Sequence, residues 1–157
     1  MAMSFGRLAG SWSGTNGFRL MPTEIFHEAP AAAQLTTAAD GHDLLLTYTW
    51  AHPADGPQDG LLLVGSPESG QQGVTAAWGD SWHQKPAILT LTGTLADGGL
   101  ELMADYGGGW LWVISLHGEH NDTLVLTMQN VIPDEQATEE VPAGPYVAMV
   151  AELRRQS

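Results

Sequence analysis

The strongest constraint on this chain is an alternation of apolar and polar residues that runs through most of its length. In the segment LLLTYTW, one face carries Leu44, Leu46, Tyr48 and Trp50, and the other carries Leu45, Thr47 and Thr49. A period of two residues is typical of a β-strand and is not produced by a helix. The segments AILTLTGTL, DTLVLTMQN and YVAMVAEL repeat the pattern. The chain is therefore predicted to be all-β.

Turn-forming residues separate the alternating runs, as expected of strands joined by hairpins. They occur at Asp40-Gly41, Asp97-Gly98-Gly99, Gly107-Gly108-Gly109 and Asn121-Asp122. We predict strands over residues 10–20, 26–38, 43–51, 60–65, 73–79, 87–96, 99–106, 109–117, 123–132 and 145–154. The segment EIFHEAPAAAQL alone offers a short helix as an alternative, and Pro30 argues against a long one. The acidic segment PDEQATEEVPAG is interpreted as a surface loop.

Consecutive antiparallel strands without covering helices must either form two packed sheets or close on themselves. We expect a single antiparallel meander closed into a barrel of about 8–10 strands, because closure removes the exposed sheet edges. A sandwich of Greek-key type is the alternative, since alternation does not reveal which strands pair. The 157 residues fit one domain, which is expected to span residues 1–157.

Charge and composition narrow the classes of partner. The chain has 5 basic and 18 acidic residues, a net charge of −13, which disfavours nucleic acid. It has no cysteine, the N-terminal segment lacks the apolar core of a signal peptide, and no apolar run approaches the roughly 18 residues of a membrane span. We therefore expect a cytoplasmic protein that binds neither nucleic acid nor membrane. Homo-oligomerisation is left open.

The two ends of the chain carry motifs of a known group of barrels. An early Gly-x-Trp is formed by Gly10-Ser11-Trp12, and Arg154-Arg155 follows the last predicted strand. In these features the chain resembles the calycin-type barrels, which include lipocalins, fatty-acid-binding proteins and avidins. The resemblance implies that Trp12 closes one end of the barrel and that Arg154 or Arg155 covers its ring in a cation–π contact.

Within that group, the segment GSWSGTNGFRLMPTEIF looks like the opening of the haem-binding nitrobindin-like barrels, and YVAMVAELRR is similar to their ends. Those barrels ligate haem through a histidine on a late strand. The last two predicted strands contain Met128 and Met149 but no histidine, so we expect no tightly bound haem or other cofactor. The segment GVTAAWGDSWHQKPAILTLTGTL is also similar to an avidin strand pair, without a recognisable set of biotin-binding residues.

Clustered aromatic residues point to a site at one barrel mouth. The predicted ligand-binding residues are Tyr48, Trp50, Trp78, Asp80, Trp82, His83, Tyr106 and Trp110. Aromatic walls with a few polar groups are typical of small-molecule sites. The small residues Val74 and Ala76, which share a face with Trp78, predict free space beneath that ring. Trp12 and Trp112 are interpreted as core residues.

The remaining histidines are interpreted without a functional role. His117 and His120 flank Glu119 at a strand end and are predicted to be solvated rather than metal ligands. His27, His42 and His52 flank turns without a recognisable partner, and we expect no metal site. Asp80 is expected to orient the ring of His83 and to raise its pKa.

Three functions are compatible with this pattern. The first is a binding protein that encloses a small, mostly apolar molecule. The second is an enzyme that uses the same cavity with Asp80 and His83 as an acid/base pair. The third is a filled barrel that acts through an exposed face or as an oligomer. Fold alone does not choose among them.

Overall fold

The computed structural model describes residues 5–96, 99–119 and 122–156, without the side chain of Glu119. A short helix, α1 (Phe5–Leu8), precedes ten strands. The strands are β1 (Gly10–Phe18), β2 (His27–Ala38), β3 (Asp43–His52), β4 (Gly56–Gly65), β5 (Gly73–Asp80), β6 (Gln84–Ala96), β7 (Gly99–Gly107), β8 (Trp110–Glu119), β9 (Thr123–Ile132) and β10 (Gly144–Arg155).

The strands form a closed antiparallel barrel in which each pairs with its neighbours in sequence and β1 pairs with β10. The register of the closing pair runs from Trp12 opposite Arg155 to Phe18 opposite Met149. The predicted all-β meander and its closure are confirmed, and the sandwich alternative is wrong. The architecture is compatible with a calycin-like barrel.

The predicted strand boundaries differ from the observed ones mainly at the starts of β4 and β6. The β3–β4 ladder continues until His52 faces Gly56, and the β5–β6 ladder until Asp80 faces Gln84. Cross-strand pairing thus extends strands into segments with weak alternation. The segment proposed as a short helix contributes to β2, whereas α1 was not predicted. The acidic loop contains a 3-10 helix, Asp134–Gln136. The predicted turns at residues 97–98 and 121 lie outside the described residues.

One end of the barrel is closed by α1 and by Trp12. The Trp12 ring is 2% exposed, its Nε1 donates to the carbonyl oxygen of Leu8 at 2.9 Å, and the Cζ of Arg155 lies 4.4 Å from the ring centroid. The expected cation–π contact is therefore confirmed for Arg155, whereas Arg154 is exposed. Trp12 is a core residue, as interpreted.

The interior above this closed end is packed with aliphatic side chains. Residues 1% exposed or less include Leu35, Leu44, Leu46, Leu62, Val64, Leu91, Leu100, Leu102, Ile114, Leu116, Leu124 and Leu153. These residues occupy the inward positions that the alternation predicts. Val74 and Ala76, the small residues that share a face with Trp78, are 5% and 3% exposed and belong to the same buried core as these residues. Within the described residues, no helix is long and apolar enough to cross a membrane.

Candidate functional site

The opposite end of the barrel, the mouth, is where β1, β3, β5, β7 and β9 end and where the even-numbered strands begin. Large side chains occupy these strand ends: Phe18, Trp50, Trp78, Tyr106, Trp112 and Tyr146. They converge because antiparallel neighbours bring strand ends and strand starts to the same rim. The aromatic clusters of the sequence therefore share one location.

A recess of about 180 Å³ lies in this mouth. Its lining consists of Phe18, Arg19, Leu20, Trp78, Trp82, His83, Gln84, Leu89, Tyr106, Trp112, Asn130, Tyr146 and Ala148. An apolar cavity of about 150 Å³ holds one benzene ring, and pockets for drug-sized ligands measure about 300–1,000 Å³. The recess therefore has the size of a single ring with a small substituent.

His83 lies at the centre of an aromatic cluster. It belongs to the short connection between β5 and β6, and its ring is stacked on Trp50 with centroids 5.3 Å apart and 23° between the planes. The rings of Trp82 and Trp112 lie 4.9 and 5.1 Å from it. An imidazole so surrounded has few water neighbours, and the aromatic faces hold its plane in one orientation.

The environment of His83 favours its neutral form. Burial lowers the pKa of this imidazole from 6.5 to about 4, and repulsion by His52 acts in the same direction. Asp80 favours the charged form, as expected, but its attraction is smaller than the cost of desolvation. The expected upward shift is therefore wrong. The Nε2 of His83 lies 2.9 Å from the Sδ of Met149, so a side chain of β10 faces this nitrogen.

Asp80 orients the loop that carries His83, not the imidazole ring. Its Oδ1 accepts hydrogen bonds at 2.8 Å from the backbone N–H groups of Trp82 and His83. Its Oδ2 accepts from the Tyr48 hydroxyl at 2.5 Å and from Trp50 Nε1 at 3.1 Å. Four donors thus satisfy a carboxylate that is 3% exposed. The predicted acid/base pair is not assembled among these contacts.

Tyr48, Trp50 and Trp78 form a hydrogen-bonded support for Asp80. Trp78 Nε1 donates to the Tyr48 hydroxyl at 2.9 Å, and that hydroxyl donates to Asp80. Burial and the adjacent carboxylate raise the pKa of Tyr48 well above its ordinary value, so the phenol stays protonated. Of these three predicted ligand-binding residues, only Trp78 lines the recess. Tyr48 and Trp50 do not line the recess and instead donate hydrogen bonds to Asp80.

Trp82 forms a wall of the recess and is fixed from outside. Its Nε1 donates to Asp55 Oδ2 at 2.8 Å, and its ring is stacked on His52 with centroids 4.7 Å apart and 21° between the planes. The Nδ1 of His52 accepts from the backbone N–H groups of Ala54 and Asp55, each at 3.0 Å. The interpretation of His52 as a residue without a partner is therefore wrong.

The rim opposite Trp82 is polar. Tyr106 donates to Asn130 Oδ1 at 2.5 Å, Asn130 Nδ2 donates to the Tyr146 hydroxyl at 3.3 Å, and that hydroxyl donates to the carbonyl oxygen of Leu20 at 2.6 Å. Burial raises the pKa of Tyr106. The predicted site residue Trp110 begins β8 opposite Gly107 and does not line the recess.

Several lining residues were not predicted from the sequence. Trp112, interpreted as core, is 7% exposed, lines the recess and is stacked on Trp78 with centroids 5.3 Å apart and planes 12° apart. Its buried Nε1 has no hydrogen-bond partner among the described residues. Arg19, Asn130 and Tyr146 were also missed. Their position at the mouth ends of β1, β9 and β10 was the available signal, but it becomes informative only once the barrel is known to close.

The recess does not fit haem, the group that the nitrobindin-like resemblance implies. Its volume of about 180 Å³ suits about one ring and not a macrocycle. His83, the imidazole in its wall, has its Nε2 against Met149. In the described part of the chain, no three His, Asp or Glu side chains are placed to hold a metal ion. His117 and His120 were predicted to be solvated rather than metal ligands. His117 lies on β8, and His120 lies outside the described residues.

A scan against protein-family models found no matching family, and a search of curated proteins found no matching sequence. The functional conclusion therefore depends on the geometry of the recess.

Proposed function

We propose that this protein binds a small planar molecule, of about one ring, in the recess at the barrel mouth. The observation that carries the proposal is the combination of an approximately 180 Å³ recess with tryptophan and histidine rings fixed on its walls. A planar ligand gains dispersion and ring–ring contacts there without ordering the walls first, since hydrogen bonds and stacking already hold them. We also propose that the barrel is calycin-like, which is supported by the contact between Trp12 and Arg155.

The contacts around Asp80 and His83 favour binding over catalysis. A general base needs a proton acceptor within hydrogen-bond reach of the substrate. Both oxygens of Asp80 already accept from protein donors, and Asp80 is not among the lining residues. His83 stays neutral above about pH 4 and presents Nε2 to Met149. These groups are arranged to hold a wall in place.

Benzyl alcohol is a suitable neutral single-ring probe for this proposal. Its binding is followed by intrinsic tryptophan fluorescence and by the chemical shifts of the indole N–H groups. We expect saturable binding, with the largest changes at Trp78, Trp82 and Trp112. Trp82→Ala and His83→Ala should each weaken binding by about tenfold, because each removes part of the ring contact worth roughly 1 kcal/mol or more.

Trp110→Ala is the matched control, since it removes a tryptophan of the same rim that does not line the recess. Circular dichroism and thermal unfolding establish that each variant is folded. Benzyl alcohol affinity equal to that of the parent in both Trp82→Ala and His83→Ala would refute the assignment of the site. Failure of the parent to bind single-ring compounds would refute the function itself.

A further inference from the structure

Arg19 is a fixed cation on the edge of the recess. It directly follows β1, and its Nε donates to the carbonyl oxygen of Val147 at 2.8 Å while Nη1 donates to that of Pro22 at 3.1 Å. The Cζ atom lies 4.5 Å from the ring centroid of Phe26 and 5.9 Å from that of Tyr146. Two carbonyl oxygens and two aromatic rings therefore hold the guanidinium in one plane at the recess.

This guanidinium has no carboxylate partner in the described residues. The ion pairs observed there join His52 to Asp55 and Arg155 to Asp122. In a chain with 18 acidic and 5 basic residues, an arginine without a carboxylate is the less expected arrangement. Its Nη2 donates no hydrogen bond to the described residues, so both N–H groups of this nitrogen remain for another acceptor.

The recess presents donors and rings but no negative charge. None of its lining residues is an aspartate or a glutamate. The nearest carboxylate that the site uses, Asp80, lies behind the wall, and four donors satisfy it. An anionic ligand therefore meets a cation at the edge and meets no carboxylate in the wall.

We propose, on the basis of the function proposed above, that the ligand is a single-ring carboxylic acid. Its ring lies against Trp82, His83 and Trp112, and its carboxylate accepts hydrogen bonds from the Nη2 of Arg19. A planar carboxylate suits the edge of a guanidinium, and a charge-assisted hydrogen bond is about twice as strong as a neutral one. The volume of about 180 Å³ accommodates one ring and one such group.

Benzoate and benzyl alcohol test this inference, because they share a ring and differ in charge. Titration calorimetry and indole N–H shifts give the affinity of each for the parent and for variants. We expect the parent to bind benzoate about tenfold more tightly than benzyl alcohol. This ratio of affinities corresponds to the net contribution of one charge-assisted hydrogen bond. Arg19→Gln should abolish this preference, so that benzoate binds no more tightly than benzyl alcohol to this variant.

Arg154→Gln is the matched control, since it removes the same charge from an exposed position at the closed end. We expect it to retain the preference for benzoate. An equal loss of the preference in Arg19→Gln and Arg154→Gln would show that net charge, and not the site, attracts the anion. If Arg19→Gln does not fold, the NMR signals of the Arg19 side-chain N–H groups in the parent test whether benzoate binds at Arg19. Benzoate should shift them, and unchanged signals at saturation would overturn the inference.

The two proposals fail in different ways. Binding of benzyl alcohol with no preference for benzoate would overturn the carboxylic acid inference and leave the binding function intact. Binding of neither compound would overturn both.

Discussion

The guanidinium carbon of Arg155, on the last strand, lies 4.4 Å from the ring centroid of Trp12, on the first. The same guanidinium donates from Nη1 to the carbonyl oxygen of Ala9 at 2.7 Å and from Nη2 to that of Arg7 at 2.6 Å. The Arg155 side chain thus connects β10 to Trp12 on β1, to Arg7 in α1 and to Ala9 between them. These contacts join the two ends of the chain where the barrel closes.

Trp12→Ala should lower the free energy of unfolding by roughly 3–5 kcal/mol, because it removes a buried aromatic ring from the closed end. Arg155→Ala should cost less, about 1–2 kcal/mol, since the cation–π contact is partly solvated. Arg154→Ala, at the neighbouring exposed position, should change stability by less than about 0.5 kcal/mol. Urea denaturation measures all three, and an unchanged midpoint for Trp12→Ala would contradict the role given to this ring.

Asp80→Ala should be strongly destabilising, by about 3 kcal/mol or more, because several buried donors lose their acceptor together. Tyr48→Phe removes one of these hydrogen bonds and should cost about 1–2 kcal/mol. Asp59→Ala is the control, because Asp59 is an exposed carboxylate on the adjacent β4. Chemical denaturation tests whether the loss in free energy of unfolding decreases in the order Asp80→Ala, Tyr48→Phe, Asp59→Ala. Equal stability of Asp80→Ala and Asp59→Ala would contradict the network.

Gly60→Ala should disturb the same network from the next strand. A Cβ atom at this position would clash with the Tyr48 hydroxyl oxygen, so the phenol must shift from the position in which it donates to Asp80. Gly73→Ala is the control, since no described residue other than its chain neighbours has an atom within 4 Å of the added Cβ. We expect Gly60→Ala to lose about 1–3 kcal/mol relative to Gly73→Ala in thermal or urea unfolding. Similar stabilities would show that Tyr48 has room to move.

The stability of the protein should fall on acidification through the pKa range of His83. Burial lowers the pKa of His83 from 6.5 to about 4, so between these pH values the unfolded chain binds a proton that the folded chain excludes. The contribution of His83 to the free energy of unfolding is complete above about pH 6.5. It decreases by up to roughly 3 kcal/mol as the pH approaches 4.

His83→Gln removes this titration, so the difference in unfolding free energy between parent and variant should narrow from pH 7 to pH 4. The other ionisable groups are common to both proteins and largely cancel in the difference. His27→Gln, which makes the same substitution at an exposed position, serves as the matched control. A His83→Gln difference that is independent of pH would contradict the lowered pKa.

The purified protein should not retain haem. The recess suits about one ring, and Met149 lies against Nε2 of His83, the imidazole in its wall. Reconstitution followed by absorption spectroscopy checks this expectation. A stoichiometric Soret band that disappears in His83→Ala would show that the mouth opens further than its present packing indicates.

The strands and their inward faces were determined by the sequence itself. Alternation in segments such as Asp43–His52 requires only that neighbouring residues point to opposite sides of a strand, which is a local property of the backbone. The absence of a helical pattern then left closure as the favoured way to remove sheet edges. The choice of Trp12 and a C-terminal arginine as the closing contact came from the resemblance to other barrels.

The composition of the recess was decided by the tertiary structure alone. Arg19 and Trp112 are far apart in sequence and line the same recess because ten paired strands bring their ends to one rim. The direction of the His83 pKa shift depends on burial by rings from several strands, a sum that the nearby Asp80 could not reveal. Alternation assigns a side chain to the inside of the barrel, but strand register determines which other side chains it meets there.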